Sequence, residues 1–153
     1  MSLPAPTKYL LEWFVRYIKN RDLIFRRISD IIEEGNKLIV KQKDGKTLHY
    51  YIEPFPDDFG NFSASATEEH CGIVVYNSAE NFEKLTSAWS KLSSMPGLTL
   101  YFVNPFSKLD KRWVLRPHIH ARISDAESLK QGLRSMYETV EPISKKEIEQ
   151  LTK

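Results

Sequence analysis

Three groups of residues in this chain combine reactive side chains with close spacing. Pro56-Asp57-Asp58 sets two carboxylates side by side, and carboxylates held together can bind a divalent cation and position an attacking water. Between prolines the same pair also suits a solvated turn. Glu53 joins them only if the loop folds back. His118-Ile119-His120 places two imidazoles two residues apart. On a strand these would project from one face and, with one further ligand, hold a metal. Arg116 and Arg122 would share that face, where cations oppose a metal and favour a phosphate or carboxylate. The third group is Lys108, Lys111, Arg112, Arg116 and Arg122 around Trp113. A basic patch with an aromatic binds nucleic acid by phosphate contacts plus stacking; its plain alternative is a solvated surface over a core tryptophan.

The remaining reactive side chains have ordinary explanations. Arg16, Lys19, Arg21, Arg26 and Arg27 have Asp22, Asp30, Glu33 and Glu34 at helical spacing, so they read as an ordinary charged face. Cys71 opens an apolar run and reads as a buried, inert thiol. His49 and His70 are too isolated to assign. There is no Gly-x-Ser-x-Gly elbow, and six glycines supply no phosphate-cradling loop.

Periodicity gives the elements that carry these groups. Tyr9, Leu10, Trp13, Phe14, Tyr17 and Ile18 recur at three and four, the stripe of an amphipathic helix. The pattern continues through Leu23, Ile24, Ile28, Ile31 and Ile32. It predicts two helices or one bent one over 7–34, with Asn20 as a second cap and Gly35 as the stop. Lys43-Asp44-Gly45-Lys46 signals a hairpin between strands at 37–43 and 47–53. The stretch from Asn61 to Glu69 has no period and reads as a mobile loop. Cys71 to Tyr76 is a continuous apolar run, predicted to be a central strand covered on both faces. A helix capped by Asn77 or Ser78 ends at Pro96-Gly97, and Leu98 to Asn104 returns as a parallel strand of a βαβ crossover. Trp113 to Arg122 alternates as an edge or bulged strand around Pro117. Ser124 is a candidate cap for the next helix, and Ser144 with Glu147 forms a capping box for a short last one.

Length and composition place the chain among globular domains. A chain of 153 residues suffices for one domain that buries about 68–70% of its unfolded surface. Hydrophobic residues at 41% and charged residues at 27% exclude disorder as the default. One cysteine excludes an internal disulfide and any multi-cysteine zinc site, which favours the cytoplasm. Met1-Ser2-Leu3-Pro4 leads into no long apolar run, and Glu12, Arg16 and Lys19 interrupt the segment after it, so neither a signal peptide nor a membrane partner is expected. A net charge of +2 is too small to imply nucleic acid, so local clusters matter more.

The order of helix, three strands, helix and strand, together with Pro56-Asp57, resembles the restriction-endonuclease-like PD-(D/E)xK superfamily over about residues 7 to 122. The resemblance implies a nuclease-like core in which an acid on the second or third strand and a Glu-x-Lys on the third bind a divalent metal and position the attacking water. Val74-Val75-Tyr76 stands where that superfamily carries Glu-x-Lys, so the metal site and its lysine are expected to be missing. The expectation is therefore a single α+β (α/β-like) domain over 1–153, with 1–6 as a disordered tail and a mixed central sheet bearing helices on both faces. It is read as a non-catalytic, nuclease-like scaffold that needs no cofactor. It binds nucleic acid or a protein partner through Lys111, Arg112, Arg116, His118, His120 and Arg122, and a homodimer would form through a strand edge or the first helix. One alternative is a divergent nuclease with a divalent metal on Asp57, Asp58 and acids from elsewhere in the chain, which His118 or His120 could join. The other is a pure protein-interaction module.

Overall fold

A computed structural model describes residues 3–59, 70–123 and 125–153. Helix α1 (Ala5–Phe25) starts with proline in its first turn, where the missing N–H costs nothing. Residues 5 and 6 therefore belong to the helix and not to a tail, and the Tyr76 hydroxyl donates to the Pro6 carbonyl at 2.7 Å. Leu10, Leu11, Phe14 and Ile18 are its buried stripe, each contributing about 1.5–3 kcal/mol by leaving water. Burial stops at Ile18, and Leu23 and Ile24 are exposed at the tip.

The predicted second helix is instead strand β1 (Ile28–Glu34). Arg26 takes a left-handed conformation at φ 50°, which ends α1. The Asp22 carboxylate then accepts from the backbone N–H of Arg27 at 2.7 Å and of Ile28 at 3.1 Å, turning the chain outward. Asn20 caps nothing, because α1 runs through it. β-Branched isoleucines at 28, 31 and 32 suit a strand once a partner is available, and β2 (Lys37–Gln42) supplies it in antiparallel register. Gly35, at φ 60°, is not a helix stop. It occupies the first central position of the two-residue turn, where a type II′ hairpin places glycine.

The Asp-Gly hairpin forms as predicted, leading into β3 (Thr47–Ile52) with Gly45 at φ 90°. The buried run is β4 (Cys71–Tyr76). It is the fourth strand, one more than the apolar pattern predicts. Helices α2 (Ala79–Ser87) and α3 (Trp89–Ser93) connect it to β5 (Leu98–Val103), and the Ser78 side chain caps α2. β6 (Arg112–Leu115) is shorter than expected, because the chain enters α4 (Pro117–Ile123) at Pro117. A proline that reads as a strand bulge serves here as a first-turn helical residue. Asp125, next to the expected Ser124, caps α5 (Ala126–Glu138). Ser144 and Glu147 form the capping box of α6 (Lys145–Leu151). The 61–69 stretch and Ser124 lie outside the described residues.

The sheet runs β1-β2-β3-β4-β5-β6, with β3, β4 and β5 mutually parallel and the remaining pairs antiparallel. Alternation along each strand divides the core in two. Ile73, Val75, Leu100, Phe102, Trp113 and Leu115 face α2, α3 and α5, while Leu38, Val40, Ile52, Val74, Tyr76 and Val103 face α1 and α6. This is a single α+β domain with a mixed six-stranded sheet and helices on both faces. Among the described residues no helix is long and apolar enough to cross a membrane.

Candidate functional site

A cleft of about 760 Å³ opens between the last turns of α1 and the sheet, at the N-terminal ends of the parallel strands. Its position follows from where α1 ceases to pack. Beyond Ile18 the helix overhangs the sheet, and its polar residues face the strand ends across the gap. Arg21 and Arg27 line one side, Lys46 enters from the β2–β3 turn, and Arg112 and Arg116 come from β6 and the residue after it. Arg112, Val114 and Arg116 are two apart, so one face of an extended segment brings both guanidinium groups to the cleft.

Among the described residues, five cations meet one carboxylate, Asp22, on this wall. That is an excess of four positive charges in a chain whose total is +2. The Asp22 carboxylate is already engaged by two backbone N–H groups. All five cations are exposed, and among the described residues no carboxylate forms an ion pair with them. Like charges gathered in a concave wall raise the local potential and favour a polyanion.

Tyr17 holds two of the cations in place. The Arg112 Nε donates to the Tyr17 hydroxyl at 2.7 Å, and its guanidinium lies 4.9 Å from the Tyr17 ring centroid. The Arg21 guanidinium lies 5.5 Å from the same centroid. Trp13 stacks on Tyr17 at 5.3 Å and fixes it to the helix. Deeper in, the Tyr50 and Tyr101 rings pack edge to face with centroids 6.0 Å apart. Burial pushes both phenols above their usual range, with Arg21 opposing, so both stay protonated at neutral pH. Gly72 makes this floor possible. A Cβ there would stand 2.5 Å from Cδ1 of Tyr50 and 2.8 Å from its Cε1, so only glycine lets that ring lie against β4.

The residues singled out by sequence are distributed differently from the expectation. Arg112 and Arg116 reach the cleft. Lys111 does not, since its Nζ donates to the carbonyls of Pro105 and Ser107. Trp113 is buried and donates Nε1–H to Asn77 Oδ1 at 2.8 Å. His118 and His120 lie on α4, where residues two apart are about 200° apart around the axis. The shared face predicted for a strand is therefore lost, for them and for Arg122. His118 Nδ1 donates to the Ser93 carbonyl at 3.0 Å and His120 Nδ1 to the Arg116 carbonyl at 2.9 Å. Arg122, on the last turn of α4, is exposed and does not line the cleft.

Asp57 and Asp58 are exposed beyond the C-terminal end of β3, the end opposite Lys46 and the cleft. A six-residue strand separates the two regions by roughly 17–20 Å. Among the described residues no group of three or more His, Cys, Asp and Glu side chains is arranged to hold a metal ion. Glu53 sits near Asp57. Burial pushes its carboxyl above the usual range, Asn36 opposes by donating to it at 2.8 Å, and the charge of Asp57 adds to the rise. A carboxyl whose folded value is raised loses stability as pH climbs through its unfolded and then its folded value. Glu53→Gln keeps the acceptor for Asn36 and removes the ionisation. The variant is expected to melt higher than the parent at pH 7 and equal to it below about pH 4, as thermal unfolding at the two pH values would show.

Comparison with known protein families, with curated proteins and with solved structures gives no match. The site is accordingly defined by its own geometry. Sequence reasoning missed Arg21, Arg27, Lys46 and the tyrosines, whose only advance signal was a run of cations on the first helix with acids at helical spacing beside them.

Proposed function

We propose that this domain binds the phosphate backbone of nucleic acid in the cationic cleft between α1 and the sheet. The observation that carries the reading is the convergence of Arg21, Arg27, Lys46, Arg112 and Arg116 on one wall where Asp22, the one carboxylate there among the described residues, is occupied by backbone N–H groups. Arginine forks suit phosphate oxygens, and guanidinium groups held on a tyrosine lose less freedom on binding. In this reading the chain works as a non-catalytic scaffold, with Asp57 and Asp58 remote from the bound backbone. Lys111, His118, His120 and Arg122 lie outside the contact.

Fluorescence anisotropy with a labelled panel of DNA and RNA oligonucleotides tests this. The expected result is saturable binding that weakens as salt rises, because each neutralised phosphate releases counterions. A protein partner is the second reading, favoured by Leu23 and Ile24, which are 73% and 81% exposed; affinity for such a partner would be nearly independent of salt.

A further inference from the structure

We infer that the cleft takes a single strand with an unstacked base on Phe25, and this rests on the nucleic-acid reading above. Among the described residues, four phenyl or phenol rings line the cleft: Tyr17, Phe25, Tyr50 and Tyr101. Three of them are already committed. Tyr17 carries two guanidinium groups and is stacked on Trp13. Tyr50 and Tyr101 pack on each other and on Phe14 in the floor.

Phe25 differs. It ends α1 at the mouth of the cleft and remains 54% exposed, although an apolar ring of this size is ordinarily buried. The Arg27 guanidinium lies 5.3 Å from its centroid. A cation on a ring, an open ring surface and a cationic wall behind them match what a nucleotide offers, a flat base joined to a phosphate. Duplex DNA presents no free base face, and reading its major groove calls for a convex helix or ribbon that enters it. A concave wall with an exposed ring at its lip instead accepts a flexible strand whose bases can turn out.

The test uses the full chain and two labelled probes of equal length and phosphate count, an oligothymidylate and its abasic counterpart. The parent protein is expected to bind the oligothymidylate about tenfold more tightly than the abasic strand. Phe25→Ala should abolish the preference for the oligothymidylate, weakening its binding far more than that of the abasic strand, while Phe25→Trp should keep the preference. Because Phe25 is exposed, the alanine variant folds, and an unchanged melting temperature confirms it. Equal affinity of the parent for both probes, equal weakening of both by Phe25→Ala, or tighter binding of a duplex with the same sequence would each overturn the stacking inference while leaving the phosphate cleft standing. Salt-independent binding, or no binding, of both strands would overturn the cleft and the inference together.

Discussion

Arg112→Glu is expected to weaken single-strand binding by about 100-fold, on the order of 2.7 kcal/mol, with no change in melting temperature. The substitution acts twice. It removes a guanidinium fork from the cleft wall and places a negative charge where phosphate would lie, so the local charge changes by two units. It also releases the Tyr17 hydroxyl, which Arg112 engages at 2.7 Å, and so loosens the ring over which Arg21 is held. Stability should be unaffected, because Arg112 is exposed at the sheet edge and exposed charge contacts of this kind contribute little to folding. Arg112→Lys separates the two effects. It keeps the charge, loses the fork and should cost only severalfold. Titration of a labelled oligonucleotide with the three proteins at one salt concentration reads the difference.

The largest effect on stability is expected at Asn77. This side chain is fully buried and joins three parts of the fold. Its Nδ2 donates to the carbonyls of Tyr137 at 3.3 Å and Val140 at 3.0 Å, and its Oδ1 accepts from Trp113 Nε1 at 2.8 Å. Its backbone carbonyl accepts from Ile143. Asn77 thereby bolts the end of α5 and the segment after it to the sheet between β4 and β6. Alanine would leave one N–H donor and two carbonyls without their partner in the interior, at about 1–3 kcal/mol for each unsatisfied group before relaxation. The expected loss is about 3–5 kcal/mol, read as a shift of the urea midpoint at constant slope. An unchanged midpoint would show that water replaces the side chain in all three bonds. Binding by the folded variant should be normal, since Asn77 lies beyond the C-terminal end of β4, away from the cleft.

How much of this is legible in the sequence depends on how local the cause is. β4 is readable because six consecutive buried residues leave no polar face, and the Asp44-Gly45 turn because its backbone conformation is specific to those residue types. The capping box at Ser144 and Glu147 is readable for the same reason. β1 is not, since Ile28, Ile31 and Ile32 fall at helical spacing and only pairing with β2 makes them a strand. That one misreading hides half of the site. With 28–34 read as helical, Asp30, Glu33 and Glu34 sit where they would neutralise the arginines of the first helix. In the fold β1 carries those acids away, and Asp22 spends its carboxylate on backbone N–H groups. Arg21 and Arg27 are thus left facing Arg112 and Arg116, and Tyr17 meets Arg112 across 95 residues of sequence. The histidine pair misleads for a related reason. Alternation around Pro117 reads as a strand, while proline at the first helical position allows a helix that turns the two rings apart.

The central claim is that phosphate neutralisation by the α1–β6 cleft drives binding, and the ionic-strength dependence of affinity for a short single strand tests it most directly. With three to five of the cleft cations engaged, the logarithm of the association constant should fall against the logarithm of salt with a slope of about −2 to −3.5. That is a loss of roughly 20- to 130-fold between 50 and 200 mM. Arg112→Glu should flatten the slope by about one cation's share. A parent slope near zero, or one that Arg112→Glu leaves unchanged, would contradict the account.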